Sequence, residues 1–170
     1  MALPGGLEVA REYELLFVRR RAAAHVCEPV AVEAPGGWLP GALATVMFCD
    51  RRFAISLTPR SDIVADPRTL PGAAIGLSRL PGRVCLRHPL PGERFVPNGA
   101  AQPRSLARLL LAAKVPAGAR SRAVEVEVDG ETAWLGAGHS GAGFAVARVA
   151  QSFVVTQSTG LVLNVIEEAT

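Results

Sequence analysis

The segment Val124-Glu125-Val126-Glu127-Val128-Asp129-Gly130 leaves this chain little choice of local structure. A β-branched apolar residue alternates with an acid, and successive side chains leave a strand on opposite faces, so the pattern predicts one dry face and one wet face. Asp-Gly then supplies two residues that tolerate positive φ, which the tight hairpin turn requires. Ala133-Trp134-Leu135 follows as the return strand. On this reading Val124, Val126 and Val128 are core, while Glu125, Glu127 and Asp129 face water.

Strand patterns recur elsewhere. Leu7, Val9, Tyr13, Leu15 and Phe17 share one parity, with Glu8, Glu12 and Glu14 on the other, as in a half-buried strand. Residues 43–57 read as two strands meeting at Asp50-Arg51, with Val46, Phe48, Phe53 and Ile55 as core candidates. A Pro- and Gly-rich loop follows, through Pro59, Pro67, Pro71-Gly72 and Pro81-Gly82. Val84 to Arg87 reads as a short strand, and residues 144–149 and 153–156 are β-like. Leu161, Leu163 and Val165 are expected to pair with 153–156 across Ser158-Thr159-Gly160.

One helix is expected, over about 103–114. Leu106, Leu109, Leu110 and Ala113 recur at helical spacing, leaving Arg104, Arg108 and Lys114 on the other face. Pro103 fits the first helical position and Pro116 stops the helix. The predicted class is α+β: mostly antiparallel sheet with one basic amphipathic helix. Strands do not alternate with crossover helices, which argues against a Rossmann-type sheet. Residues 1–84 form a β-rich first part and 85–170 a second, either as two small domains or as one compact unit. The 49% hydrophobic content is enough for a real core.

No apolar run reaches the roughly 20 residues that span a bilayer, and the first residues do not resemble a signal peptide. Cys27, Cys49 and Cys85 are an odd number, widely spaced and without C-x-x-C, which predicts no disulfide framework and a reducing cytoplasm. His25, His88 and His139 show no metal-ligand spacing, so no metal site is predicted. Gly138-His139-Ser140-Gly141-Ala142 only partly matches a nucleophile elbow and reads as a Gly-rich loop. Trp38 and Trp134 read as packing residues rather than base-stacking ones. No catalytic residue is assigned.

Charge is unevenly distributed. Residues 79–122 hold nine bases against one acid, Glu93, for a net +8, although the whole chain is only +3. Residues 123–170 hold one base, Arg148, against six acids, for a net −5. A cationic block of this kind is the electrostatic footprint of an anion as large as a nucleic acid. Within it, the loop Pro91-Gly92-Glu93-Arg94-Phe95-Val96-Pro97-Asn98-Gly99 leads into the basic helix. Arg104 and Arg108 are expected one turn apart on one helical face. The predicted tRNA-binding set is Arg87, Arg94, Arg104, Arg108, Lys114, Arg120 and Arg122.

The stretch from Leu86 to Gly136 resembles the C-terminal domain of bacterial tRNA(Ile)-lysidine synthetases. The residues that carry the resemblance are Arg87, Pro91, Gly92, Glu93, Arg94, Phe95, Pro97, Gly99, Arg104, Leu106, Lys114, Val115, Pro116, Arg120, Arg122 and Trp134. Glu93 stands where the family has Asp, and Arg108 where an acid is common. Residues 1–20 resemble the entry to the family's β-rich terminal part. The resemblance implies tRNA as partner, and a role in ATP-dependent lysidine formation at the first anticodon position of isoleucine tRNA. ATP and Mg²⁺ belong to the family's catalytic domain, which carries a Ser-Gly-Gly-x-Asp-Ser loop. The 170 residues here contain no such loop, so no cofactor is expected on this chain and no activity from it alone. The alternative is a module that docks on a separate catalytic chain without touching RNA.

Overall fold

The computed structural model describes residues 2–3, 7–12, 15–20, 27–66, 72–138 and 144–168. The first three strands, β1 (Ala2–Leu3), β2 (Leu7–Glu12) and β3 (Leu15–Arg20), form a small sheet of their own. The parity that suggested one strand over 7–17 is instead split into a hairpin, with Glu12 opposite Leu15. Tyr13 and Glu14 lie outside the described residues. Leu16 and Val18 are exposed.

The next strands are β4 (Val30–Val32), β5 (Leu43–Phe48), β6 (Arg51–Pro59), β7 (Ala73–Leu77) and β8 (Val84–Arg87). Two short strands, β9 (Arg94–Phe95) and β10 (Arg104–Ser105), pair with each other just ahead of helix α1 (Leu106–Ala112). A single-turn α2 (Ala117–Arg120) leads to β11 (Val124–Val128), β12 (Glu131–Gly138), β13 (Phe144–Val149) and β14 (Leu161–Glu168). Every strand pair among the described residues is antiparallel, so the α+β class dominated by sheet holds.

The strands order as β13-β12-β11-β8-β4 in one sheet and β5-β6-β14-β7 in another. Val84, Leu86, Val124, Val126 and Trp134 of the first pack with Phe48, Phe53, Ile55, Ile75, Leu163 and Val165 of the second in one core. Both sheets combine strands from before and after residue 84. The second face of the five-stranded sheet is also covered: Leu135, Ala137 and Val146 pack under Phe95, Leu106, Leu110 and Val115. The order of layers is therefore sheet, sheet, helix.

The Asp129-Gly130 turn forms as expected, with φ of 52° and 87°. Trp134 is buried over Gly136, where an added Cβ would fall 1.9 Å from the ring, so Gly136 is the floor of the tryptophan slot. β14 does not pair with 153–156. It lies between β6 and β7, with Leu163 opposite both Leu57 and Ile75. Val162 and Leu163, on opposite faces, are both fully buried, so β14 belongs in the middle of a sheet. The 153–156 segment instead crosses β7 at Gly76, where a Cβ would meet the Val154 carbonyl at 2.9 Å.

The helix is shorter than 103–114. Arg104 and Ser105 are extended and pair with Phe95 and Arg94, and the Leu106 amide donates to the Glu93 carbonyl at 3.0 Å. That ladder replaces what would have been the first helical turn. Leu106 and Leu110 are buried, Leu109 is half-buried, and Ala113 is exposed. Past the helix, Lys114 adopts φ 55°, with its amide bonded to the Leu111 carbonyl and the Val115 amide bonded to the Leu110 carbonyl. This is the Schellman stop, with Val115 and Leu110 making its apolar contact. Glycine usually takes the left-handed position that lysine holds here.

A disulfide joins Cys27 and Cys49, with Cα atoms 5.7 Å apart, against the expectation of none. Sequence spacing concealed it. Cys49 sits in the β5–β6 turn, which lies beside the residues leading into β4.

Candidate nucleic-acid interface

The seven basic residues predicted for one face divide into three environments. Arg87 is buried, and its guanidinium is held by three carboxylates. Its Nη1 and Nη2 donate to both oxygens of Glu93 at 3.0 and 2.5 Å, Nη2 also donates to Glu125 at 2.8 Å, and Nε donates to Glu127 at 2.9 Å. Register explains the grouping. Glu125 is directly opposite Arg87 across the β8–β11 ladder, Glu127 is two residues along on the same face, and Glu93 arrives from the loop. Arg87 therefore anchors the 91–99 loop to the sheet and presents no fork to solvent.

Glu125 overturns the wet-face reading of β11, being fully buried. The helix layer covers the face that alternation assigned to water. Burial pushes the Glu125 carboxyl up to about 8, against the pull of the hydrogen bond from Thr132 and of the Arg87 charge. For Glu93, burial acts upward but is outweighed by the bonds from Arg87 and from the Leu90 amide, leaving it below its ordinary value. Two carboxyls of the group are thus shifted in opposite directions, Glu125 up and Glu93 down.

Arg122 and Arg120 form the second environment. Arg122 is exposed but already paired with Asp50, at 3.0 and 3.1 Å, and its carbonyl accepts from Arg51. Arg120 is half-buried at the end of α2.

Arg94, Arg104, Arg108 and Lys114 are exposed and form the third. Arg94 and Arg104 lie within one step of each other across the β9–β10 ladder, and Arg94 donates to the Pro103 carbonyl at 2.9 Å. Arg104 belongs to β10 rather than α1, so it does not share a helical face with Arg108. It instead lines a groove of about 290 Å³ with Arg148, Leu109, Val146 and the loop at Pro97–Gly99. The loop is pinned to the sheet there. The Asn98 amide donates to the Val149 carbonyl at 2.9 Å, and the Gly99 amide donates to Gln151 Oε1 at 2.9 Å. Among the described residues, Arg104, Arg108 and Arg148 form no salt bridge.

Arg148 lies outside the predicted set, as the one base in an acidic tail. The available signal was topological: β13 is the edge strand beyond β12, next to the loop that carries the basic motif. A second groove, about 370 Å³, has Asp129 and Glu131 on its wall, and its Arg79 is already bridged to Asp129 at 3.6 Å. It lacks the uncompensated positive charge of the first. His139 and Ser140 lie outside the described residues. No helix of the described residues is long and apolar enough to cross a membrane.

No protein-family model matches this chain, and no curated protein matches it.

Proposed function

We propose that this chain binds tRNA as the C-terminal portion of a tRNA(Ile)-lysidine synthetase in the cytoplasm. The observation that carries the reading is the groove where Arg104 and Arg148 stand exposed over the apolar side chains of Leu109 and Val146. Guanidinium forks suit phosphate oxygens, and the apolar floor suits a ribose or base edge. Arg108, one turn before the groove-lining Ala112 on α1, extends the cationic surface. Structured RNA is recognised largely through shape and its sugar–phosphate backbone, a task that sequence-tolerant cationic contacts perform. The resemblance over residues 85–135 supports the same reading, since it includes the loop, the β9–β10 ladder and α1. Adenylation and lysine transfer fall to a domain carrying the Ser-Gly-Gly-x-Asp-Ser loop, with its ATP and Mg²⁺. No residues of this chain match that loop.

The test is binding of isoleucine tRNA by the chain and by an Arg104→Ala/Arg148→Ala variant at one fixed salt concentration. Substantially weaker binding by the folded variant supports the groove. Equal binding, or no binding by either protein, removes the reading.

A second reading rests on Leu16 and Val18, which are 70% and 63% exposed on β3. Apolar residues this open suit a protein contact, as a docking module would need. On this reading the chain alone does not bind tRNA, and Leu16→Lys/Val18→Lys should abolish capture of a separately produced catalytic domain.

A further inference from the structure

The ligand atoms of Cys27, Cys49 and His88 all lie within 4.8 Å of one another. The three residues come from separate parts of the fold. Cys27 precedes β4, Cys49 sits in the β5–β6 turn, and His88 follows β8, so the cluster joins the two sheets of the sandwich. His88 is held in one orientation. Its Nδ1 is 2.8 Å from the Ala123 carbonyl, and its ring packs on Phe48 with centroids 5.0 Å apart. A carbonyl oxygen only accepts, so Nδ1 carries the proton. In the neutral ring this leaves the Nε2 lone pair free, and Nε2 lies 3.5 Å from Cys49 Sγ. A metal-bound histidine is typically oriented in this way, one nitrogen donating to a backbone carbonyl and the other facing the metal.

We propose that reduction of the Cys27–Cys49 disulfide turns this cluster into a Cys₂His site for a divalent metal of zinc type. Two thiolates and one imidazole match the nitrogen and sulfur preference of such ions, and the exposure of Cys49 leaves a fourth position open to water. The chemistry balances with a dithiol as reductant. The dithiol gives up two electrons and two protons and closes to its own disulfide, while the S–S bond between Cys27 and Cys49 breaks to two thiols. Metal binding then releases the two thiol protons, and His88 contributes its Nε2 lone pair without losing one.

The consequence is an exchangeable staple. Under oxidising conditions a covalent bond ties the start of β4 to the β5–β6 turn. In a reducing compartment, where disulfides do not persist, a metal takes over the link and adds His88 to it. Asp50 of the same turn and Arg51 at the start of β6 hold Arg122, and His88 holds the adjoining carbonyl of Ala123. Metal occupancy therefore reports on the seam beside the basic segment.

The test is titration of the full chain with Co²⁺, after reduction by a dithiol and anaerobic removal of the reductant. The reduced chain should take up one equivalent with the strong visible bands of tetrahedral thiolate coordination. The oxidised chain should show none. Cys49→Ser and His88→Ala should each weaken uptake at least about tenfold. Cys85→Ala, which removes the remaining thiol, should leave uptake unchanged. If reduction unfolds the chain, added Zn²⁺ should refold it, as followed by circular dichroism. Failure of refolding, uptake equal in the oxidised chain, or uptake indifferent to His88 would each overturn the proposal.

Discussion

Arg87 and Arg104 belong to the same basic block, yet they do opposite things. Arg87 is buried and saturated by Glu93, Glu125 and Glu127. Arg104 is exposed and shares a groove with Arg148, and neither forms a salt bridge among the described residues. Positive charge counted along a sequence therefore overstates what a partner can use. One guanidinium fastens a loop to a sheet, while the other is left available. The loop that Arg87 fastens also forms one wall of the Arg104 groove, so the structural arginine sets the geometry of the available one.

The largest expected effect lies on the structural side. Arg87→Met leaves the Glu93 and Glu127 carboxylates and the buried Glu125 carboxyl crowded without their counter-charge. Breaking a buried ion pair from one side costs about 3–5 kcal/mol, so urea unfolding should show a loss of that order. A loss under about 1 kcal/mol would mean that the cluster is solvated and that Arg87 is no different from Arg104.

The Glu125→Gln variant probes the same cluster through pH. The folded carboxyl titrates near 8, above its ordinary value, so between the two values the folded state holds a proton that the unfolded chain releases. This contribution is fully present at low pH and is lost as pH rises through about 8. Glu93 works in the opposite sense, its lowered value giving stability that disappears as pH falls into the acid range. Stability of the parent chain should therefore decline from mildly acidic toward alkaline pH, and Glu125→Gln should flatten that decline. The same slope in both proteins would remove Glu125 from the account.

A smaller effect is expected at Lys114. Its left-handed conformation strains a residue with a Cβ by about 1 kcal/mol, so Lys114→Gly should raise the unfolding midpoint. The substitution also removes one exposed charge. Any loss of tRNA binding that accompanies the gain in stability then measures how far the cationic surface extends beyond the groove.

Local pattern made several features legible in the sequence. Asp129-Gly130 marked its hairpin, and Phe48, Phe53 and Ile55 announced a buried strand pair, although the turn falls at Cys49-Asp50 rather than at Asp50-Arg51 and Val46 is only half-buried. What it could not show were effects set by the third layer. Glu125 alternates as a solvent-facing residue should, and nothing in its neighbours along the chain says that Leu106 and Leu110 cover that side of the sheet. Arg87 looked available for the same reason, since its three partners lie 6, 38 and 40 residues away. The helix starts later than expected because Arg104, four residues before Arg108, fits helical spacing yet pairs with Phe95, as Ser105 does with Arg94. Arg148 vanishes in any charge sum along the chain, since six acids surround it in sequence, whereas β13 delivers it to the groove across the sheet. The Cys27–Cys49 link has no local signature at all.

The central claim is that availability, and not charge count, separates Arg104 and Arg148 from Arg87. It is tested most directly by the salt dependence of tRNA affinity for the parent chain and for Arg104→Ala/Arg148→Ala. Each phosphate contact contributes roughly 0.7–0.9 to the log–log slope, so the variant should lose about 1.4–1.8 with its fold unchanged. An unchanged slope and affinity in a folded variant would contradict the account.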